Sequence, residues 1–374
     1  MANQIALEIR KLSRHIHNLK VLTLCGGTPF KPQVLSLSHG AHIIVATPGR
    51  VLKHIEQNNI DLENINTLVL DEADKMLDMG FYDDIMSIIN TLPTKRQTLL
   101  FSATYEKNIE KLASNVLLNP VVVKVENEEK VHIKQEFYYI DEENKTAFIP
   151  ALISSNKAKS ILIFCNMKIK CDKLADDLYA LGLDVLTLHS DLEQKQRDET
   201  IILFSNKSYP ILIATDVASR GLHIDDVDLV INYDLSLDEK IHTHRIGRTA
   251  RAGKGGLVIS LYTQNDFDRV EIIKETFSDI EDKSIDSVED DLSYKIDSEL
   301  RTIFINGGKK QKLRAGDILG ALTAGIGLQK DDIGKIDILD FASYVAINKE
   351  KISFVLERLS KEKIKGKYYR IYEK

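Results

Sequence analysis

Asp71-Glu72-Ala73-Asp74 closes the apolar run Thr67–Leu70, and adjacent carboxylates in that place can serve phosphoryl chemistry. Open parallel sheets take their ligands at the C-terminal mouth of the strands. An acidic pair there can hold Mg²⁺ through its water shell and orient the water that attacks a terminal phosphate. The same residues could instead cap the next helix. More candidates follow other apolar runs: Ser102-Ala-Thr104 after Gln97–Phe101, Ala214-Thr-Asp-Val-Ala-Ser-Arg-Gly221 after Pro210–Ile213, and then His244-Arg-Ile-Gly-Arg-Thr-Ala-Arg251. Cys25-Gly-Gly-Thr28 and Thr47-Pro-Gly-Arg50 each combine a turn with glycine, which lets phosphates approach backbone N–H groups.

Short strands must position these groups. Lys20–Leu24, His42–Ala46, Thr67–Leu70, Thr98–Phe101 and Val121–Val125 read as buried strands, and helical stretches such as Ala2–Leu19, Gly49–Gln57 and Tyr105–Leu117 fill the gaps. That alternation predicts a parallel sheet covered by helices. Glu126–Lys134 is a charged linker by composition. The pattern then restarts with strands at Gln135–Ile140, Ser160–Phe164, Asp184–Leu188, Ile211–Ala214, Leu229–Tyr233 and Gly256–Ser260. Asp279–Glu299 holds nine acidic and two basic residues and reads as a solvated spacer. A βαββαβ order closes the chain: Thr302–Asn306, Ala315–Thr323, Ile336–Leu339, Ser343–Ile347, Lys349–Ser360 and Lys367–Tyr372.

In this order and spacing the motifs resemble the DEAD-box RNA helicases of superfamily 2, over roughly residues 1–275. The closing segment, with Gly307-Gly-Lys-Lys310 near its start and Lys363-Ile-Lys-Gly-Lys367 near its end, resembles the DbpA subfamily. The resemblance implies an α/β architecture of two RecA-like parallel-sheet lobes, the first incomplete, followed by an RRM-like α+β domain. The implied boundaries are 1–125 for a partial ATP-binding lobe, 134–275 for the C-terminal helicase lobe, 278–299 for the acidic linker and 301–374 for the RNA-binding domain.

The resemblance also assigns roles. Asp71 would hold Mg²⁺ through water and Glu72 would orient the hydrolytic water. Asp74, Ser102, Thr104 and His244 would couple the nucleotide to RNA. Arg248 and Arg251 match arginine fingers that neutralise charge on the transferring phosphoryl group. Gly26, Gly27, Thr47, Gly49 and Arg50 in the first lobe, with Gln194, Arg197 and Thr215 in the second, would follow the RNA backbone. Taken alone, Ser102 and Thr104 could be N-caps, Thr47–Arg50 a helix-opening turn, and Gln194 with Arg197 a solvated face. In the last domain Lys309, Lys310, Lys312, Arg314, Lys363, Lys365, Lys367 and Arg370 would meet RNA, unless the basic runs are simply a soluble surface. Phe304 and Tyr344 stand at stacking positions of the RRM platform, where either could equally be core. Ala342 occupies the other aromatic position, which puts stacking of several bases in question.

The implied activity is ATP- and Mg²⁺-dependent unwinding of short RNA duplexes during large-subunit assembly, with large-subunit ribosomal RNA and the pre-ribosomal particle as partners and a monomer as the expected state. The alternative is an ATPase-deficient ribosomal-RNA-binding protein. A superfamily 2 DNA translocase is a third reading, disfavoured by Asp71–Asp74 and His244–Arg248. No Gly-x-x-x-x-Gly-Lys-Ser/Thr occurs in the 374 residues. The Q motif and P-loop of the family precede the point where Met1-Ala2 aligns, so the expectation is an N-terminally shortened chain, from a truncated gene or a mis-called start, whose first sheet has a gap and unpaired edges. His223 stands where the family has a ribose-binding Asp and is not assigned to nucleotide. His242-x-His244 lacks zinc-site partners, and Gly247–Lys254 misses the P-loop spacing.

Bulk properties agree. Hydrophobic content of 43% and charged content of 28% are ordinary for a globular chain. Cys25, Cys165 and Cys171 form no CxxC and are odd in number, which fits a reducing compartment. No apolar run reaches the ~18 residues of a membrane span, no secretory signal opens the chain, and cytoplasm is the expected location. The net charge of −6 hides a division: residues 301–374 carry 16 Lys+Arg against 9 Asp+Glu (+7), leaving 34 against 47 (−13) elsewhere. The basic end is where a polyanion belongs.

Overall fold

In the computed structural model the chain forms two units, Met1–Asn127 and Glu128–Lys374. The structure describes residues 2–105, 107–124, 133–219, 224, 227–250, 255–277, 279–291 and 293–374. No described helix is long and apolar enough to cross a membrane.

The first unit holds strands β1 (Val21–Leu24), β2 (Ile43–Ala46), β3 (Thr67–Leu70) and β4 (Gln97–Leu100). β1 pairs with β2 and β3 with β4, both parallel, and among the described residues the two pairs form separate two-stranded sheets. Leu70, Ala73, Ile85, Ile89, Ile109, Leu112 and Val116 form a core beneath the β3–β4 pair. Val69, Leu99 and Phe101 on the same pair stay exposed because nothing described covers them. Two expectations fail here. Val121–Lys124 lies outside any strand, with Val121, Val122 and Val123 exposed. Val125 lies outside the described residues. The first helix stops at Leu12, beyond which Ile16 is exposed and finds no apolar face.

The second unit is built on one seven-stranded sheet containing β5 (Ile133–Tyr139), β6 (Ile161–Phe164), β7 (Val185–Leu188), β8 (Ile211–Ala214), β9 (Leu229–Asn232), β10 (Gly256–Tyr262) and β11 (Ile280–Lys283), in the order β11-β5-β10-β9-β6-β8-β7. Every described pairing is parallel. β6, β8 and β9 are buried at every position, and a strand covered on both faces reads as an unbroken apolar run.

The acidic stretch 279–299 is not the solvated spacer that its composition predicts. β11 extends the sheet by pairing with β5, and Lys283 bonds the buried Glu136 at 2.5 Å. Tyr294 donates its hydroxyl to Ala158 O at 2.8 Å, and Val288, Tyr294 and Ile296 pack on the lobe's core. A few apolar anchors outweigh the charge, and carboxylates of the stretch find partners: Asp282 pairs with Lys274, Asp297 with Lys349, and Asp290 accepts the Ser154 hydroxyl at 2.6 Å.

A four-stranded antiparallel sheet follows, from β12 (Leu300–Ile305), β13 (Ile333–Ile338), β14 (Ser343–Asn348) and β15 (Ile371–Glu373), in the order β13-β14-β12-β15. Helices Ala315–Gly320 and Ile352–Leu359 cover one face through Ile318, Val355 and Leu359. The other face lies against the parallel-sheet lobe. Phe304 and Tyr344 pack with Ile202 of helix Gln194–Ser205. Thr302 bonds Asn206 at 2.8 Å and Ser208 at 2.7 Å, Arg301 pairs with Asp184 at 2.9 Å, and Lys374 pairs with Glu199.

Candidate functional site

Parallel pairing brings the first-lobe motifs side by side. Leu70 lies opposite Leu100, so Asp71–Asp74 and Ser102–Thr104 leave adjacent strand ends, tied by the Ala73 N–H to Phe101 O bond of 3.0 Å. Asp71 is exposed, and its Oδ1 accepts the Glu72 N–H at 2.9 Å. Glu72 has φ +50°, a left-handed backbone that costs a glutamate energy and tends to persist at functional sites. Its Oε1 meets Lys75 Nζ at 2.7 Å, while Oε2 is buried without a hydrogen-bond partner. Asp74 is buried with neither oxygen partnered. Ser102 Oγ donates to Thr104 O at 2.7 Å. The N-cap residue of helix Ala73–Asp78 is Glu72, and it makes no side-chain capping bond, so capping does not explain the acidic pair.

Among the described residues no three His, Cys, Asp or Glu side chains converge as a metal cage. The orphaned oxygens of Glu72 and Asp74 beside an exposed Asp71 do fit a hydrated Mg²⁺ held through water.

The β1–β2 pair presents its two motifs in the same way, with Leu24 opposite Ala46 and Thr47 N–H bonded to Leu24 O at 3.0 Å. Gly26 and Gly27 are exposed, and Gly27 has φ +72°. Gln33 Nε2 donates to Cys25 O and Thr28 Oγ1, Arg50 Nη1 donates to Thr28 O and Gln33 Oε1, and His54 bonds Gln33 Oε1 at 2.9 Å. Arg50 thus holds the glycine turn in shape. Thr47, at the N-cap of helix Pro48–Glu56, makes no side-chain capping bond, and Gly49 is exposed on the first turn.

In the second unit Thr215 is buried at the β8 exit, with its N–H on Leu188 O at 3.1 Å. Arg197 Nη2 donates to Ala218 O at 3.2 Å, and exposed Gln194 donates to Asp198 at 2.8 Å. Phe164, Asp216, Ser219, Ile241, His244, Arg245 and Arg248 line a recess on this unit. Arg251 and His223 lie outside the described residues.

Sequence reasoning missed Arg245. Its guanidinium is almost fully buried, bonds both oxygens of Asp216 at 2.7 Å, and also reaches Asn232 at 3.1 Å, Asp234 O at 2.7 Å and Asn166 at 2.7 Å. It lies over the Phe164 ring, 5.0 Å from the centroid. Opposite charges at Asp216 and Arg245, each beside a motif residue already singled out, were the available signal.

His242 belongs to the fold. It is buried, bonds Gln135 Oε1 at 2.8 Å and lies 3.3 Å from Ser236 Oγ. Burial, reinforced by the Arg245 charge, pushes its pKa down to about 4. The folded state therefore favours neutral imidazole, and the unfolded chain takes up the proton first. Stability from this residue is complete above about pH 6.5 and declines as pH falls toward 4, by up to about 3 kcal/mol. Urea unfolding between pH 7 and 4 should show this slope, and His242→Gln should flatten it.

In the C-terminal domain Lys309, Lys310, Lys312, Arg314, Lys363, Lys367 and Arg370 are exposed. Lys365 is engaged internally, with Asp317 at 3.0 Å and Lys312 O at 2.6 Å. Tyr344 corrects an expectation. It is 1% exposed, stacked edge-on with Phe304 and covered by the parallel-sheet lobe, so it is core and not a platform for bases.

Residues 1–112 match the DEAD/DEAH box helicase family, residues 144–253 the helicase conserved C-terminal domain, and residues 302–373 the DbpA RNA binding domain. The chain is 43% identical over 372 residues to the ATP-dependent RNA helicase DbpA of Escherichia coli (strain K12), covering 99% of this chain and 81% of that one. The chain belongs to the DbpA group of DEAD-box RNA helicases. A second DbpA relative, from Bacillus subtilis (strain 168), is 36% identical over 99% of this chain and 82% of its own length. Among solved structures, Saccharomyces cerevisiae Dbp5 bound to RNA and ADP BeF3 shares 28% identity at a TM-score of 0.68, covering 76% of this chain and 75% of that one. DEAD-box helicases bind ATP.

Proposed function

We propose that this DEAD-box protein hydrolyses ATP in response to RNA, separates short RNA duplexes, and is addressed to large-subunit ribosomal RNA and pre-ribosomal particles by residues 301–374. Residues 1–125 and 134–275 act as the two helicase lobes, and the protein works as a monomer in the cytoplasm. The observation that carries this reading is the acidic strand end: Glu72 in a left-handed backbone with one buried oxygen unpartnered, beside exposed Asp71 and buried Asp74. Bound Mg²⁺ supplies charge neutralisation on the phosphates of the substrate ATP. Asp71 would hold it through water, and Glu72 Oε2 would orient the attacking water and accept its proton. Arg248 and Arg251 neutralise charge on the transferring phosphoryl group. Asp74, Ser102 and Thr104 in the first unit and His244 in the second couple nucleotide to RNA; Gly26, Gly27, Thr47 and Gly49, with Arg50 shaping their turn, and separately Gln194, Arg197 and Thr215, take the RNA backbone. The lysines and arginines of the C-terminal domain supply the address.

RNA-stimulated ATPase assays test this reading. A large-subunit ribosomal RNA fragment should stimulate turnover more than an unrelated hairpin of equal length, and single-stranded DNA should stimulate little. Equal stimulation by all three would overturn the address. Charge at the address is testable separately. Lys363→Gln with Lys367→Gln should lower affinity for all RNAs and reduce the salt slope of log K by about 0.7–0.9 per lost phosphate contact.

A second reading is favoured by one observation, the lack of any Gly-x-x-x-x-Gly-Lys-Ser/Thr in the 374 residues. On that reading the polypeptide binds ribosomal RNA without hydrolysing ATP. Normal RNA affinity with no turnover at any ATP concentration is its signature.

A further inference from the structure

RRM-like domains ordinarily present bases to aromatic side chains on the sheet face. Here most of that face is closed, while Tyr372, opposite Phe304, keeps 37% exposure. Phe304 is 9% and Tyr344 1% exposed, both pack on Ile202, and Lys374 lies over Phe304 and Tyr372 while pairing with Glu199.

Larger exposed aromatic area is found at one end of the same domain. Phe341, in the turn between β13 and β14, is 62% exposed, and Tyr368, ahead of β15, is 65% exposed. The basic segment Gly307–Lys312 runs between these two turns. Lys309 N–H bonds Leu339 O at 2.9 Å and Lys310 N–H bonds Asp340 O at 2.8 Å, fixing its contact with the Phe341 turn. On its other flank Asn306 N–H bonds Arg370 O at 3.0 Å, and Lys365 Nζ reaches Lys312 O at 2.6 Å. Gly307 and Gly308 allow this crowding, since a Cβ on Gly307 would meet the Tyr369 ring at 2.3 Å and one on Gly308 the Leu339 carbonyl at 2.2 Å. Lys363 Nζ lies 5.4 Å from the Tyr368 ring centroid, leaving the ring held beside positive charge. Two uncovered rings bordering a lysine-rich, backbone-stitched surface match the way unpaired nucleotides are taken: phosphates on lysines, base faces on aromatics.

We propose that Phe341 and Tyr368 are base-stacking residues, and that this end of the domain receives unpaired RNA bases in place of the mostly closed sheet face. Lys309, Lys310, Lys363 and Lys367 hold the flanking phosphates. The proposal rests on the reading of residues 301–374 as an RNA address and names the unpaired nucleotide as its ligand.

The test uses the full chain and two probes: an RNA hairpin with an unpaired loop, carrying 2-aminopurine in that loop, and a fully paired duplex of the same stem. Phe341→Ala and Tyr368→Ala should each weaken hairpin binding about 5- to 150-fold, restore loop fluorescence, and leave duplex binding and the salt slope unchanged. Tyr368→Phe and Phe341→Tyr should bind as the parent does. Both rings are largely in solvent, so an unchanged unfolding midpoint is expected and separates lost stacking from lost structure. Lys309→Gln with Lys310→Gln serves as the comparison. Should this pair of substitutions weaken binding while both aromatic variants bind the hairpin at full affinity, stacking is refuted and the basic address stands. Should the lysine substitutions also leave binding unchanged, the address itself is lost and the proposal falls with it.

Discussion

Arg248→Ala is expected to slow RNA-stimulated ATP hydrolysis by about 10³–10⁵ while RNA affinity in the absence of nucleotide holds. The expectation comes from the place of Arg248, which matches an arginine finger of the DEAD-box family and borders the same recess as Arg245. Arg245 is spent inside the lobe, with both Asp216 oxygens, two asparagines and a backbone carbonyl satisfying its guanidinium. Arg248 stands just past the end of helix Glu239–Ile246, in the Gly-Arg-Thr-Ala stretch that leads to Arg251. An arginine that acts on developing phosphoryl charge contributes to the transition state and little to ground-state binding, so kcat should fall with KM for RNA nearly constant. Single-turnover hydrolysis with saturating RNA separates the two quantities. Arg248→Lys should recover only part of the loss, because an ammonium does not reproduce the planar fork of a guanidinium.

Arg245→Ala should act on stability first. Removing the guanidinium strands the largely buried Asp216 carboxylate and the Asn232 and Asn166 oxygens, and breaking a buried pair on one side costs about 3–5 kcal/mol. The loss should appear as a lower urea midpoint for the second unit, with activity falling in parallel. Arg245→Ala combined with Asp216→Ala should be less destabilising than Arg245→Ala alone, because no charge is then left unpaired. A double variant as unstable as the sum of the single ones would show that the two side chains act independently and that the network does not hold the recess together.

Much of the fold could be read directly. β6, β8 and β9 are unbroken apolar runs because both their faces are covered, and a run such as Ile161–Phe164 has no other sensible place. The strand-end places of the acidic pair and the glycine turns were legible because each follows directly from where an apolar run stops. What could not be read depended on distant partners. Val121–Val123 has every local mark of a strand, yet it lies exposed outside either sheet of the first unit, because pairing is decided by tertiary context and not by the run itself. The acidic stretch 279–299 looks solvated by composition, whereas three apolar side chains and one backbone ladder hold it to the lobe. Phe304 and Tyr344 occupy stacking positions in sequence, and only the approach of Ile202 decides that they are core. Arg245 was hidden for a similar reason: its four partner residues come from three other segments of the chain.

Steady-state ATP hydrolysis by the 374-residue chain, with and without a large-subunit ribosomal RNA fragment and in parallel with Glu72→Gln, tests the central assignment most directly. RNA-dependent turnover that Glu72→Gln reduces by at least about 10²-fold, with RNA affinity unchanged, is the expected result. Turnover indifferent to Glu72→Gln, or tight RNA binding with no turnover at all, would contradict the assignment of Glu72 as the group that activates water in this chain.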